Sequence, residues 1–354
     1  MAGKSKKKSN LERKILIALC IVLSIILAAL IGAYLWADSL LSGINRFEPD
    51  PTDGTQPTVE IADPTDTVPV INEAEAITTG KQIVNVLLVG QDRRSGQGRM
   101  HSDAMILVTI NKVTKQVTMT SFMRDMWVYI PDHYNERINV PYMVGGFDLL
   151  NKTLEYNFGV CADYNVEIDF FGFMQAIDLV GGIEIELTGA EARYLNRRGN
   201  WEVDDDTTWS LVEGVNKLTG SQALAYSRIR DIGDDFERTS RQRTVLTKLI
   251  EKAKGLSTAR LYELVKGVIP MLTTDMTNGE ILGLALELIP MLSDLEVVSQ
   301  RIPADGEFSF ANKGGASVIA LSESQFEANK KLLENAMRTE NEETIPETTA
   351  ATKE

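Results

Sequence analysis

Three apolar stretches decide the fold: Ile83-Val-Asn-Val-Leu-Leu-Val-Gly90, Ala104-Met-Ile-Leu-Val-Thr-Ile-Asn111 and Val117-Thr-Met-Thr-Ser-Phe-Met123. The first is a continuous apolar run closed by glycine, the pattern of a strand buried on both faces. The second reads the same way, and the third alternates. The five-residue link 112–116 is short enough for a hairpin, whereas 91–103 is long and polar. In an antiparallel meander the end of the first strand, the start of the second and the end of the third share one edge. Asp92, Asp103 and Arg124 then converge there.

Working outward, helical patterns fall near 145–157 and 169–179, and Gly181-Gly182 leads into a strand at 183–187. Further helices are expected at 219–227, 236–254 (closed by Gly255), 259–272 and 278–292. Asp169 reads as a helix cap. Mixed elements in this order predict an α/β or α+β fold, a central, mostly antiparallel sheet flanked by helices.

The chain has 354 residues, and its 44 % hydrophobic content supports a sizeable core. Residues 1–14 carry six basic groups against one acid, Glu12, and 15–37 carry no charge. With an overall net charge of −14, the remainder, 38–354, therefore sums to −19. A body that acidic lacks the basic footprint of a nucleic-acid binder. The two cysteines, Cys20 and Cys161, make no disulfide framework, and two histidines make no zinc pattern.

Residues 15–37 are long enough to span a bilayer as a helix, with Tyr34 and Trp36 near one end. A cleaved signal peptide has a shorter apolar core, so an uncleaved anchor is expected. The basic flank places the N-terminus in the cytoplasm and the body outside, a single-pass protein of the cell membrane. The expected organisation is a basic tail (1–14), a transmembrane helix (15–37) and an acidic, Pro/Thr-rich stalk (38–81). A main folded domain (82–254), a helical extension of it (255–336) and a disordered acidic tail (337–354) complete the chain.

Asp92 and Asp103 have no His or Cys neighbours of metal-ligand spacing. As hard oxygen donors they suit Mg²⁺ or Mn²⁺ beside a phosphate, or they are turn formers. His101 stands near as a candidate base. The stretch Arg228-Ile-Arg-Asp-Ile-Gly-Asp-Asp-Phe-Glu-Arg-Thr-Ser-Arg-Gln-Arg243 holds five arginines and no lysine. Helical spacing puts Arg238, Arg241, Gln242, Val245 and Leu249 on one face that turns apolar toward its C-terminal end. Guanidinium forks match phosphate, and cations in a first helical turn oppose the helix dipole unless an anion joins them. The other reading is a salt-bridged surface with Asp231, Asp234, Asp235 and Glu237.

These residues resemble the LytR-CpsA-Psr family. The ordered pieces are Leu-Leu-Val-Gly90-Gln-Asp92-Arg-Arg94, His101-Ser-Asp103, Asn111, Ser121-Phe-Met-Arg124-Asp125, Ile138-Asn139, Gly145-Gly146, Asp169-Phe170 and Gly181-Gly182. Leu218-Thr-Gly220-Ser-Gln-Ala-Leu224, Tyr226-Ser-Arg228-Ile-Arg230 and Asp235-Phe236-Glu-Arg238-Thr-Ser-Arg241-Gln242 close the series. His101 replaces a usual arginine and Met123 a usual proline.

The resemblance implies a phosphotransferase that attaches glycopolymers of teichoic acid or capsule type to peptidoglycan, from a polyprenyl-pyrophosphate donor. It implies that Asp92 and Asp103 hold the divalent metal (Mg²⁺ or Mn²⁺). Arg124, Arg228, Arg238 and Gln242 would bind the pyrophosphate, supported by Arg230 and Arg241. The helices after 145 would line an apolar lipid tunnel, or simply form core. A lipid-phosphate-binding regulator without activity, or a polyprenyl pyrophosphatase, would use the same residues.

Overall fold

The computed structural model describes residues 32–33, 35–47, 76–77, 80–91, 99–197 and 209–338. Its centre is the expected meander: β2 (Ile83–Gln91), β3 (Ser102–Asn111) and β4 (Gln116–Phe122), paired antiparallel in sequence. Asn111 turns the hairpin, its side-chain oxygen accepting from the backbone N–H groups of Val113 and Thr114.

The meander extends on both sides into one seven-stranded sheet that also contains β1 (Asn45–Arg46), β7 (Tyr164–Asp169), β10 (Leu272–Thr274) and β11 (Glu296–Ile302). The order is β1-β10-β7-β2-β3-β4-β11. β7 joins β2 in parallel and β11 joins β4 in parallel, so the sheet is mixed around its antiparallel centre. Three two-stranded ribbons stand apart: β5 (Trp127–Tyr129) with β6 (Asn135–Arg137), β8 (Ile183–Leu187) with β9 (Gly214–Leu218), and β12 (Ser309–Lys313) with β13 (Ala316–Ala320).

Alternating side chains of the central strands feed two apolar layers. Leu87, Val89, Leu107 and Phe122 pack against α1 (Val140–Phe158), with Phe326 and Leu333 arriving from the C-terminal helix Glu323–Met337. Val84, Val86, Ile110 and Val117 face the opposite way, toward Leu284 and Leu288 of the helix Asn278–Leu288. A third cluster is built by α2 (Phe170–Leu179), α3 (Gly189–Leu195), α4 (Gly220–Ser227) and α5 (Asp235–Lys254) around the β8–β9 ribbon. α6 (Thr258–Val268), α7 (Asn278–Leu288) and α8 (Glu323–Met337) complete the set.

Caps fix the helix starts. Asp169 accepts from Gly172 N–H at 2.8 Å, as expected of it. Thr188 with Glu191, and Thr219 with Gln222, form capping boxes, and Asp234 caps α5. α1 starts one turn before its expected position, with Pro141 in its first turn, and kinks at Gly145-Gly146. Gly146 has φ 62°, and a Cβ there would collide with the ring of Phe47.

The expected membrane placement is corrected. Among the described residues no helix is long and apolar enough to cross a membrane, so neither the transmembrane helix over 15–37 nor the single-pass topology is supported. Residues 1–31 and Tyr34 lie outside the described residues. The described end of that segment packs on the folded body instead. Trp36 stacks on Tyr262 of α6 with centroids 5.3 Å apart, and Leu41 is buried.

The stalk expected over 38–81 is corrected in its described parts: β1 adds to the sheet edge, and Phe47 and Ile77 pack on the main core. The stretch 255–336, expected to be helical, also holds β10 to β13. The acidic tail beyond Arg338 lies outside the described residues.

Candidate active site: an arginine–carboxylate cluster above an apolar cavity

The meander delivers its edge residues as the strand order requires. Asp103, at the start of β3, accepts a hydrogen bond at 3.0 Å from Nη1 of Arg124, two residues past the end of β4. Gln91 ends β2 at the same edge; the next residue, Asp92, lies outside the described residues. α5 brings the second half of the cluster. Arg238 Nη2 lies 2.7 Å from Asp235 Oδ1, one turn earlier, and Arg124 Nη2 lies 3.6 Å from the same oxygen. Asp125 sits 3.6 Å from Arg124 Nε. Arg230 is exposed and close enough for its charge to act on both Asp235 and Arg238.

The charges of this group balance, but its hydrogen bonding is incomplete. Arg238 is only 3 % exposed, and its Nε and Nη1 are buried without hydrogen-bond partners. Asp235 Oδ2 and Arg124 Nε are likewise buried and without a hydrogen-bond partner. Buried guanidinium donors left unmade are costly, and a multivalent oxyanion is the ligand that satisfies several at once. Burial lowers the Arg238 pKa, partly opposed by Asp235. Burial also raises that of Asp235, against the pull of Arg238 and Arg124. His101 is pushed below its ordinary value by desolvation and then by Arg137, which keeps it neutral at pH 7.

The other expected residues divide. Arg228 closes α4, its guanidinium 4.6 Å over the Phe170 ring. Gln242 lines an apolar cavity of about 110 Å³ with Leu88, Gly90, Ala104, Phe170 and Leu246. Gly90 and Ala104 face each other across β2 and β3, and their small side chains leave the room there.

A second, larger cavity of about 460 Å³ is lined by residues that include Val166 of β7, Ala176 of α2, Leu249 of α5 and Ala285 of α7, one strand or helix repeat on from Ile168, Phe173 and Leu246 of the smaller one. The same strand and helices, β7, α2 and α5, thus contribute to both apolar spaces.

Arg241 does something else. It is 6 % exposed and is held by Glu191 at 2.7 Å, by the carbonyls of Ile229 and Ile232 and by Glu237. It ties α5 to α3 and to the loop after α4. Burial opposes ionisation of Glu191, but Arg241 and Thr188 overcome it and depress its pKa. Arg241→Ala is therefore expected to destabilise the fold by about 3–5 kcal/mol, by stranding a buried carboxylate. Because the folded-state pKa of Glu191 is the lower one, its contribution is present above the unfolded value and is lost as pH falls through the folded one. Thermal melts from pH 7 downward should show the wild type losing this margin in acid and Arg241→Ala lacking it throughout.

Asp235 was legible as a charge-balancing acid and as part of a motif piece, and Asp125 only as the end of one, neither with a role at the site. The signals that could have found them were the i, i+3 spacing of Asp235 to Arg238 and the adjacency of Asp125 to Arg124. Among the described residues no group of three or more His, Cys, Asp or Glu could hold a metal ion.

An arginine–carboxylate cluster and apolar cavities lined from one helix, α5, in an α+β fold suit a ligand that joins an anion to a hydrocarbon. The chain matches the LytR_cpsA_psr family over residues 53–335. It is 29 % identical over 262 residues to the polyisoprenyl-teichoic acid–peptidoglycan teichoic acid transferase TagT of Bacillus subtilis (strain 168), covering 72 % of this chain and 77 % of the relative. It is 28 % identical to biofilm regulatory protein A of Streptococcus mutans, over 69 % of this chain and 63 % of that one. Its fold aligns with TagT carrying a bound octaprenyl pyrophosphate lipid, with TM-score 0.56 and 25 % identity, over 75 % of this chain and 96 % of that one. The chain belongs to the LytR-CpsA-Psr family. Membership carries the family's general transferase or ligase class.

Proposed function

We propose that this protein moves a glycopolymer of teichoic acid or capsule type, as its glycosyl phosphate, from a polyprenyl-pyrophosphate carrier to a hydroxyl of peptidoglycan. The observation that carries this reading is the set of buried guanidinium nitrogens without hydrogen-bond partners, Nε and Nη1 of Arg238 and Nε of Arg124, together with apolar cavities lined from the helix that carries Arg238. One end of such a donor is a dianionic bridge and the other a long hydrocarbon, which is the chemistry this site separates. TagT, the similar structure with octaprenyl pyrophosphate bound, supports it.

In this reading Arg124, Arg238 and Arg230 bind the two phosphates, Arg228 and Gln242 border the junction with the chain, and the apolar cavities hold the first isoprenes. The acceptor hydroxyl attacks the sugar-bearing phosphorus, its proton passing to a carboxylate of the cluster. The bond to the bridging oxygen breaks and the prenyl monophosphate leaves. Arginines fixed before reaction stabilise the charge that develops on both phosphates.

A divalent cation fits this donor set as a proposal. Asp103 is a hard carboxylate at the cluster, part-exposed and with one oxygen on Arg124, and Mg²⁺ needs only one or two carboxylates where it keeps waters and meets phosphate. Asp103, with Asp92, would hold Mg²⁺ or Mn²⁺, which would supply further charge neutralisation.

The test is a transfer assay. Purified protein, a prenyl-pyrophosphate disaccharide labelled in the sugar, and peptidoglycan should yield label on peptidoglycan and one prenyl monophosphate per transfer. Free sugar phosphate formed without acceptor would contradict the proposal. Transfer that survives saturating chelator would remove the metal from it.

A further inference from the structure

We propose that the face formed by Phe236, Phe308, Phe310, Arg243 and Arg301 is a glycan subsite for an anionic sugar unit of the donor; this rests on the transferase reading above. The β12–β13 hairpin is anchored inward, with Val318 and Ile319 in the main core and Ile319 N–H donating to the carbonyl of Asp125 at 2.9 Å. The hairpin is thereby pinned to the residue after Arg124. Its outer strand carries Phe310 with 67 % of its surface exposed.

The rings form a shared surface. Phe236 and Phe308 have centroids 4.9 Å apart, Phe308 and Phe310 5.5 Å at nearly right angles. Phe236 is the neighbour of Asp235 in the first turn of α5, so this surface is continuous with the pyrophosphate cluster. Exposed aromatic area gathered beside a polar site marks a binding surface.

Two cations border it. The Arg301 guanidinium lies 4.3 Å over the Phe236 ring and pairs with Asp305 and the Pro303 carbonyl. Arg243 lies two turns after Phe236 on the same side of α5, and its Nη1 is buried without a hydrogen-bond partner. Burial, and then Arg301, push the Arg243 pKa down to about 10, the mark of a cation beside another cation. Ser121 Oγ, in register with Arg301 across β4 and β11, is also buried and unpaired.

The direction of the donor selects the occupant. The smaller cavity lies on the Gln242 and Leu246 side of α5, and in the transferase reading the lipid end departs there. The sugar end of the same pyrophosphate departs over Phe236. Sugar C–H faces pack on aromatic rings, and a phosphodiester or uronate substituent takes the guanidinium forks.

The probes are farnesyl pyrophosphate, its neutral disaccharide conjugate, and that conjugate bearing one phosphodiester, with binding measured by calorimetry on the full chain. The wild type should bind the three with increasing affinity. Phe310→Ala should weaken both glycan probes about tenfold and leave farnesyl pyrophosphate unchanged. Arg243→Gln should weaken only the phosphodiester probe, also about tenfold. Equal wild-type affinity for all three, or variants that shift farnesyl pyrophosphate as much as the glycan probes, would overturn the subsite alone. No wild-type binding of farnesyl pyrophosphate would overturn the transferase reading and the subsite with it.

Discussion

Arg238→Ala is expected to lower the rate of glycan transfer by about 30- to 1000-fold, a loss of about 2–4 kcal/mol of transition-state stabilisation. Arg238 brings two nitrogens without hydrogen-bond partners, Nε and Nη1, to the cluster in addition to Nη2, which is paired with Asp235. The folded protein tolerates the change better than burial alone suggests. Burial already raises the pKa of Asp235, and losing Arg238 moves it further the same way, which limits the cost of leaving the carboxylate without that partner. Arg238→Lys should recover only part of the rate, because the ammonium keeps the charge and loses the planar fork. If Arg238 were only a salt-bridge residue, the pattern would reverse: near wild-type rates, a lowered melting temperature, and lysine nearly as good as arginine. Parallel rate measurements and melts of the two variants distinguish these outcomes.

The second large effect is expected from filling the larger cavity. Ala285 of α7 lines the larger cavity and is half-buried, so Ala285→Phe projects a ring into existing space without displacing packed core. Each buried methylene contributes roughly 0.8 kcal/mol, so excluding even two or three isoprene carbons costs about tenfold or more in affinity. Undecaprenyl and octaprenyl pyrophosphates should lose at least that much. Geranyl pyrophosphate, reaching only the smaller cavity by Gln242, should bind as to the wild type. Equal losses for long and short chains would mean that the cavity is not the lipid channel.

The meander and its edge were legible because period-two burial and a short polar link constrain strand pairing almost completely. That is why Asp103 and Arg124, 21 residues apart, could be placed together before any coordinates, and they lie in contact at 3.0 Å. The face of α5 was legible from helical periodicity, but its division of labour was not. Arg238 and Arg241 share a stripe and a depth of burial, yet one keeps unmade donors at the cluster and the other is saturated by Glu191 and backbone carbonyls.

Glu191 lies 50 residues away and belongs to a different helix, and no local pattern announces such a partner. β11 was missed for a similar reason: it joins β4 in parallel after a crossover of more than a hundred residues. Its sequence, with Ser299, Gln300 and Arg301, carries little apolar signal. The cavities were unreadable because Leu, Ile and Phe lining a cavity are the residues that would otherwise fill it.

The most direct measurement is the structure of the protein with a polyprenyl pyrophosphate bound, obtained by co-purification or soaking and identified by mass spectrometry. The account predicts one lipid per chain, its pyrophosphate on Arg124 and Arg238 and its isoprenes running past Phe170 and Leu246 toward Ala176. A lipid bound on another surface with the arginine cluster unchanged, or no retained lipid at all, would contradict it.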